Sequence, residues 1–377
     1  MKFDITIVGL VSLFVGLGDA AATWPAAIDE LEDVMFLQTG HNARGLRTHV
    51  TPCGFSEFGA GRQTAAEWLR IAFHDMATAN VFMEPRGGVD ASIAFELDNG
   101  ENIGTGFATS LQMFAAFKNK HLSVADMIAL GAYASVRACG GPVIPMRGGR
   151  TDAIEANNKG VPSPSDGGPV FANRFYRMGF DEPSMIQMVA CGHAIGGVHS
   201  VNFPDIVLPN TAPNGYALFD TTLEFDNQIV TRYLAGPSQT VDPLVIGAAR
   251  GKHADLAVFN RDGNETVTAM AQAAAFNTVC SNILQRMIEV VPTEVTLSDV
   301  IAPYEVKPSG IQLTLSDNGN QLQFTGEIRV RTTSRSVTGV QIVYQNRNGG
   351  AGGTITGTAS GTANGFDDSF TVWLFCM

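Results

Sequence analysis

Arg70-Ile71-Ala72-Phe73-His74-Asp75 lies inside a run, Thr64 to Met76, whose apolar residues recur every three or four positions, the pattern of an amphipathic helix. On such a helix Arg70, Phe73 and His74 share one face, so a guanidinium, an apolar ring and an imidazole point at one spot. Taken alone, the same pattern suits a surface helix with solvated Arg and His. A second stretch, Met188-Val189-Ala190-Cys191-Gly192-His193-Ala194-Ile195-Gly196, changes the weighting. It ends an apolar helical run on a histidine flanked by small residues, which let a broad, flat group come close to the backbone. A single histidine so placed is usually a satisfied core residue. Of the seven histidines in the chain, His74 and His193 stand apart by their settings.

The remainder of the chain bounds what these two settings can serve. Its 377 residues, 45% hydrophobic and only 16% charged, can bury a sizeable core and do not suit disorder. A net charge of −12 with no basic run excludes nucleic acid as a partner, since a phosphate backbone would be repelled. Met1-Lys2, an apolar stretch from Ile5 to Leu17 and the small residues Ala20-Ala21-Ala22 predict a secretory signal peptide over residues 1–22. That stretch is short of the roughly 20 residues that span a bilayer, and nothing later is apolar for long enough, so no membrane partner is expected. Five cysteines and the sequon Asn264-Glu265-Thr266 agree with the secretory, extracellular route.

Helical periodicity fills residues 25–290, with segments at Thr64 to Met76, Gly106 to Lys118, Ser123 to Arg137, Ser184 to His193 and Thr266 to Val290. After Pro292 the period becomes two: Ile311-Leu313-Leu315, Leu322-Phe324, Ile328-Val330, Val340-Ile342-Tyr344 and Phe370-Val372-Leu374 alternate with polar residues. The expectation is a mainly α domain over 23–291 followed by a C-terminal antiparallel β-sandwich over 292–377, with Gly349 to Gly365 as a long loop inside it.

The two histidine motifs together resemble those of the plant-type haem peroxidase superfamily, over about residues 40 to 290. The resemblance implies that fold, haem b, and hydrogen peroxide as oxidant. Arg70, Phe73 and His74 match the distal helix, and Asn102 in Glu101-Asn102-Ile103-Gly104 matches the asparagine that orients the distal histidine. His193 matches the proximal iron ligand and Asp255, in Ala254-Asp255-Leu256, the carboxylate bonded to it. A neutral imidazole can shuttle the peroxide proton, and a fixed cation stabilises the leaving oxygen, so His74, Arg70 and Asn102 are the expected catalytic set. Asp126 and the Gly149-Arg150-x-Asp152 strip match structural positions of the family.

The resemblance also implies a distal calcium held by Asp75, Gly88, Asp90 and Ser92, whose oxygen donors suit a hard cation. Asp220, Thr222 and Asp226 fit the second half of a proximal cation site, although Ala194 stands where the secreted classes have Ser or Thr. Phe73 and Phe219 replace tryptophans of the cytochrome c peroxidase pattern. His199 is similar to a class I histidine that meets a haem propionate, which makes the chain a secreted class II-like or hybrid member. The fungal manganese positions hold Gln63, Glu67 and His199, one carboxylate of three, with Glu67 read as a partner of Arg70 or a solvated group. Met188 stands in place of the lignin-type surface tryptophan. Cys53 and Cys139 match a fungal disulfide; Cys191 is expected to be a buried thiol, with a Cys280–Cys376 bridge open as a tie to the β-domain. The implied function is a secreted peroxidase oxidising small phenolic-type donors at the haem edge. The alternatives are a haem protein of weak turnover or a cell-wall polysaccharide-binding protein whose β-domain carries the main role.

Overall fold

The computed structural model describes residues 3–7, 26–345 and 348–377. The expected leader falls mostly outside them; its described part, β1 (Phe3–Ile7), pairs antiparallel with a later strand. Next come α1 (Asp29–Phe36) and β2 (Thr39–Gly40). A helical run follows: α2 (Thr64–Met76), α3 (Gly106–Ala115), α4 (Val124–Ala138), α5 (Gly168–Arg177) and α6 (Glu182–Gly192). The short ribbon β3 (Gly197–His199) and β4 (Tyr216–Leu218) leads into α7 (Gln228–Leu234), α8 (Pro243–Ile246), α9 (Ala254–Phe259), α10 (Glu265–Ala269) and α11 (Ala273–Ile288). The last part is β: β5 (Val306–Ser316), β6 (Gln321–Arg331), β7 (Val340–Tyr344), β8 (Gly353–Thr356), β9 (Thr358–Asn364) and β10 (Ser369–Cys376). Among the described residues no helix is long and apolar enough to cross a membrane.

The helices begin where local chemistry starts them. Ser123 accepts the Asp126 N–H ahead of α4, and Asp181 accepts the Ser184 N–H ahead of α6, with Pro183 in its first turn. Both caps satisfy backbone donors that a helix start leaves open. In the helical unit, Arg47–Ile301, α2 lies against α3 and α4 while α6 lies against α9, α10 and α11. Fully buried Trp68 of α2 sets its ring 4.9 Å from that of Phe114. Asp126 ties the next layer: it accepts the N–H groups of Gly149 and Arg150, and the Arg150 guanidinium, whose other nitrogens donate to the Ile288 carbonyl. The long helix expected from Thr266 to Val290 is two, broken at Met270 to Gln272, where Asn227 Nδ2 donates to the Ala271 carbonyl.

Cys53 and Cys139 form a disulfide, and so do Cys191 and Cys280. The second corrects the expected free thiol at Cys191: the lie of α6 on α11 brings the two Cα atoms to 5.4 Å, bonding distance for a pair far apart in sequence. Cys376 is free and exposed.

The second unit joins Ala302–Met377 to the segment ending at Leu46, so the chain divides at 46/47 and 301/302 rather than once at 291/292. Its strands make a five-stranded antiparallel sheet, ordered β2-β9-β10-β6-β5, and a three-stranded one, β1-β7-β8. One apolar cluster joins Ile328 and Val330 of β6, Trp373 and Phe375 of β10, Val340 and Ile342 of β7 and Ile355 of β8. The expected loop from Gly349 to Gly365 is instead mostly β8 and β9. A ladder needs only backbone groups, and here Ile355 and Ala363 supply the buried side of otherwise polar strands. A Cβ at Gly361 would come to 3.0 Å from the His41 side chain, so a larger residue there would have to displace that ring slightly.

Residues 26–46 join the β unit through the β2–β9 pairing and through a buried electrostatic network. Glu32 of α1, fully buried, receives Lys307 Nζ at 2.9 Å and the Arg329 guanidinium, which also donates to Asp33 at 2.8 Å. Burial pushes the Glu32 carboxyl up while the two cations pull it down. Replacing Glu32 by Ala would leave buried Lys307 and Arg329 to the partly exposed Asp33, a loss of up to about 3–5 kcal/mol for a broken buried pair. Chemical denaturation of the Glu32→Ala chain should show the β unit losing that stability, and a loss under about 1 kcal/mol would refute the arrangement.

Candidate active site

Helix α2 carries the first half of the site. Trp68, Leu69, Ile71, Ala72 and Met76 bury one side of it, and Ala66, Arg70 and His74, each a turn apart, run along another. The His74 ring is almost wholly buried, and its Nδ1 lies 2.8 Å from Asn102 Oδ1. Asn102 Nδ2 donates to the Glu96 carbonyl at 2.9 Å, which turns Oδ1 toward the imidazole. That orientation assigns the ring hydrogen to Nδ1 and leaves Nε2 with a free lone pair. Burial pushes His74 well below the usual histidine range, and the nearby Arg70 charge pushes further in the same direction. The ring is neutral over the whole physiological range.

Arg70 donates to the Ile103 carbonyl at 3.1 Å and lies over the Phe107 ring at 4.4 Å, a ring that also sits 4.6 Å from His74. Phe107, at the start of α3, had no motif to announce it in the sequence. Phe73 packs its ring 5.9 Å from Phe175 of α5. Depth within the protein lowers Arg70 to about 10, so it stays protonated at neutral pH, yet its side chain keeps accessible surface.

The second half comes from the end of α6. His193 closes that helix, its Nδ1 2.6 Å from Asp255 Oδ2 on α9, with Asp255 only 1% exposed. Its ring lies flat on Phe219 at 4.2 Å and 11°. The β3–β4 ribbon places Phe219 there, through the Phe219 N–H to Gly196 carbonyl bond just beyond it. The Nδ1 edge is occupied, while the side chain remains 30% exposed, so Nε2 is the nitrogen left for a ligand. A Cβ on Gly192, the residue before it, would meet no atom within 4 Å. The two halves touch where Gly196 nears Ala66 of α2, and Arg70 and His74 follow Ala66 on the same face.

His199 is set apart. Its Nε2 donates to the Gly61 carbonyl at 2.8 Å, and its ring stacks on Tyr216 at 4.5 Å, so the ring hydrogen is taken and Nδ1 keeps a lone pair that offers an anionic group no donor. Glu67 departs from the expected Arg70 pairing: Arg62 binds both its oxygens, at 2.6 and 2.7 Å. Gln63 is buried, its amide donating to the Cys53 and Leu223 carbonyls. Met188 is buried, as is Trp68.

Directly behind His74, the Asp75 carboxylate accepts the N–H groups of Asp90, Ala91 and Ile93. Asn157, absent from the expected set, donates Nδ2 to Asp90 Oδ2 at 2.8 Å and Ser92 Oγ at 3.0 Å, and its N–H to Glu96 Oε1. Gly88 has φ +135°, and a Cβ there would lie 2.4 Å from the Val290 carbonyl, so only glycine fits. Burial raises Asp75, Asp90 and Glu96 above the usual carboxylate range, and each is raised further by a neighbouring acid. On the other side of the site Thr222 Oγ1 bridges Asp220 and Asp226 at 3.2 and 3.1 Å. Asp220 Oδ2 is buried without a hydrogen-bond partner, and burial lifts Asp220 to about 6. Among the described residues no three His, Cys, Asp or Glu side chains converge on a metal-sized point, so a cation at either place would draw on hydroxyl and carbonyl oxygens too.

A family model described as peroxidase matches residues 54–289, inside the helical unit. The chain is 51% identical to a WSC domain-containing protein of Arthroderma benhamiae over 94% of its own length and 50% of the relative's. It is 30% identical to a putative heme-binding peroxidase of Pyricularia oryzae, over 36% of this chain and 46% of that one. The same identity links it to peroxisomal L-ascorbate peroxidase 5 of Arabidopsis thaliana, over 47% and 60%. The chain thus spans about half the length of the curated relatives it matches. With the family model covering well over half of its residues, the chain belongs to the plant-type haem peroxidase superfamily.

Proposed function

We propose that the chain is a secreted haem peroxidase that reduces hydrogen peroxide and oxidises small phenolic-type donors. The observation that carries this is the pairing of a neutral, buried, Asn-oriented imidazole beside a fixed cation with a second imidazole held through Nδ1 by a buried carboxylate. The residues present fit haem b: Nε2 of His193 is the free nitrogen, Phe219 backs its ring, and Gly192 borders open space. When bound, haem supplies the redox-active iron at which peroxide is reduced and donors are oxidised.

His74 Nε2 would take the proton from one peroxide oxygen and return it to the other, which leaves as water. Arg70, already desolvated and held by Ile103, would stabilise the charge on that leaving oxygen without reorganisation. Asn102 would keep the His74 tautomer right for accepting the proton. Asp255 would orient His193 and increase its electron donation to a metal. The manganese positions are engaged elsewhere, Glu67 by Arg62, Gln63 and His199 by carbonyls, which favours direct oxidation of organic donors. Calcium at Asp75, Gly88, Asp90 and Ser92 would relieve the repulsion among the buried acids there, with the Asn157 amide turning aside.

Three measurements test this reading. Haem titration of His193→Ala should show retention lost or the iron's ligand spectrum replaced; an unchanged Soret band with full peroxide turnover would overturn the proximal assignment. Neutral His74 is the active form and its proton is gained only well below pH 6.5, so the peroxide rate should stay level from neutrality into the acid range. In Arg70→Leu the acid limb should move to higher pH, because the Arg70 charge lowers His74; a limb that stays put would contradict that coupling. For calcium, a ligand at a hundredfold excess over its Kd adds about 2.7 kcal/mol. Melting scans with calcium against chelator should then differ by roughly 5–10 °C in a unit of this size, and indifference to chelation would remove calcium from the reading.

A further inference from the structure

Behind the proximal pair lies a third side chain with no part in the chemistry above. Asp242 is fully buried immediately before α8, where its Oδ1 accepts the Leu244 N–H at 2.8 Å and caps that short helix. Its other oxygen, Oδ2, is also buried and receives no hydrogen bond from any donor group among the described residues. An ionised carboxylate with a bare buried oxygen is costly enough that structures seldom keep one. Helix α8 packs on α9, which carries Asp255, and this sets the Asp242 carboxyl within hydrogen-bonding reach of the Asp255 carboxyl.

Two carboxylates facing each other out of water cannot both be charged, and they share a proton. Asp255 already accepts the His193 N–H, a bond that favours its charged form, whereas Asp242 has only the Leu244 amide. Burial and the Asp255 charge together push Asp242 well above the usual carboxylate range. With the proton on Oδ2, the bare oxygen becomes a donor, and the Asp255 carboxylate is an acceptor within reach of the Asp242 carboxyl.

Building on His193 as the iron's ligand, we propose that Asp242 is a positioning residue of the proximal site: its Oδ2–H donates to the Asp255 carboxylate and draws off part of the charge that Asp255 presents to His193. Asp242 thereby sets how strongly Asp255 pulls on the Nδ1 hydrogen. A weaker pull leaves the ring less imidazolate-like, and a less donating ring stabilises ferric iron less, which raises the ferric/ferrous potential.

The test uses the full chain, loaded with haem, and two replacements. Asp242→Asn keeps a donor toward Asp255, and Asp242→Leu removes it while keeping bulk. In the Leu variant the ferric/ferrous midpoint should fall, with a tenfold change in the oxidised-to-reduced ratio reading as about 59 mV. The iron–histidine stretch in resonance Raman should rise, and the Asn variant should match the wild type in both. A Leu variant with wild-type values, or an Asn variant that shifts as far as Leu, overturns the proposal. Should the Leu variant fail to fold, infrared spectra of the haem-free wild type and Asn variant decide it. A protonated-carboxyl band at neutral pH should be present in the wild type and lose intensity in the variant, and an unchanged band overturns the proposal. If instead the wild type shows no iron–histidine stretch, the His193 assignment fails, while the infrared result still judges the Asp242 proton by itself.

Discussion

The Asp75 carboxylate holds the distal half of the site together. It follows His74 directly on α2, is fully buried, and gathers three backbone N–H groups from the loop at residues 90–93. That loop leads to Glu96, whose carbonyl takes the Asn102 amide and so turns Asn102 Oδ1 onto His74. The tautomer of the imidazole therefore depends on a carboxylate that points away from it. The chain of contacts runs from a buried carboxyl to a loop conformation, then to an amide orientation, then to a ring hydrogen, and each link removes one freedom from the next.

The two imidazoles are prepared in opposite ways. His74 is kept neutral by burial and by the repulsion of Arg70, with a neutral amide as its oriented partner. His193 has a carboxylate at Nδ1 and an apolar ring stacked 4.2 Å beneath it. One arrangement yields an open lone pair that can receive a proton; the other yields a ring whose remaining nitrogen is rich in electron density. The asymmetry suits one face for proton movement and the other for binding a metal. It is produced by neighbours on α3, α9 and the β3–β4 ribbon rather than by the histidines themselves.

The β unit relies on a different device. Its sheets share an apolar cluster, but the segment that precedes the helical unit in sequence is tied to it by Glu32, Lys307 and Arg329, all almost wholly buried. Such a network contributes little net stability compared with an apolar replacement, yet punishes the loss of any one member. It fixes which strand faces meet α1, since a one-residue slip of β5 or β6 would turn Lys307 or Arg329 to the opposite face.

Periodicity and short-range spacing were enough to place α2, to put Arg70, Phe73 and His74 on one face, to mark His193 at a helix end, and to show a change from helix to strand, set at Pro292, ahead of β5 at Val306. These follow from side-chain direction along a regular backbone, which is a local property. The motifs also pointed to Asn102, Asp255 and the Asp75–Ser92 loop, and the fold brings each to its partner. Local pattern could not reach the Cys191–Cys280 bond, the pairing of Glu67 with Arg62, the His199 bond to Gly61, the role of Phe107 and Asn157, or strands β8 and β9 in a stretch of Gly, Thr and Ser. All of these are decided between residues brought together by packing or by a ladder's backbone bonds. The same holds for Asp242: one Asp-Pro at a helix start looks like any other cap, and only the seating of α8 on α9 brings its carboxyl beside that of Asp255.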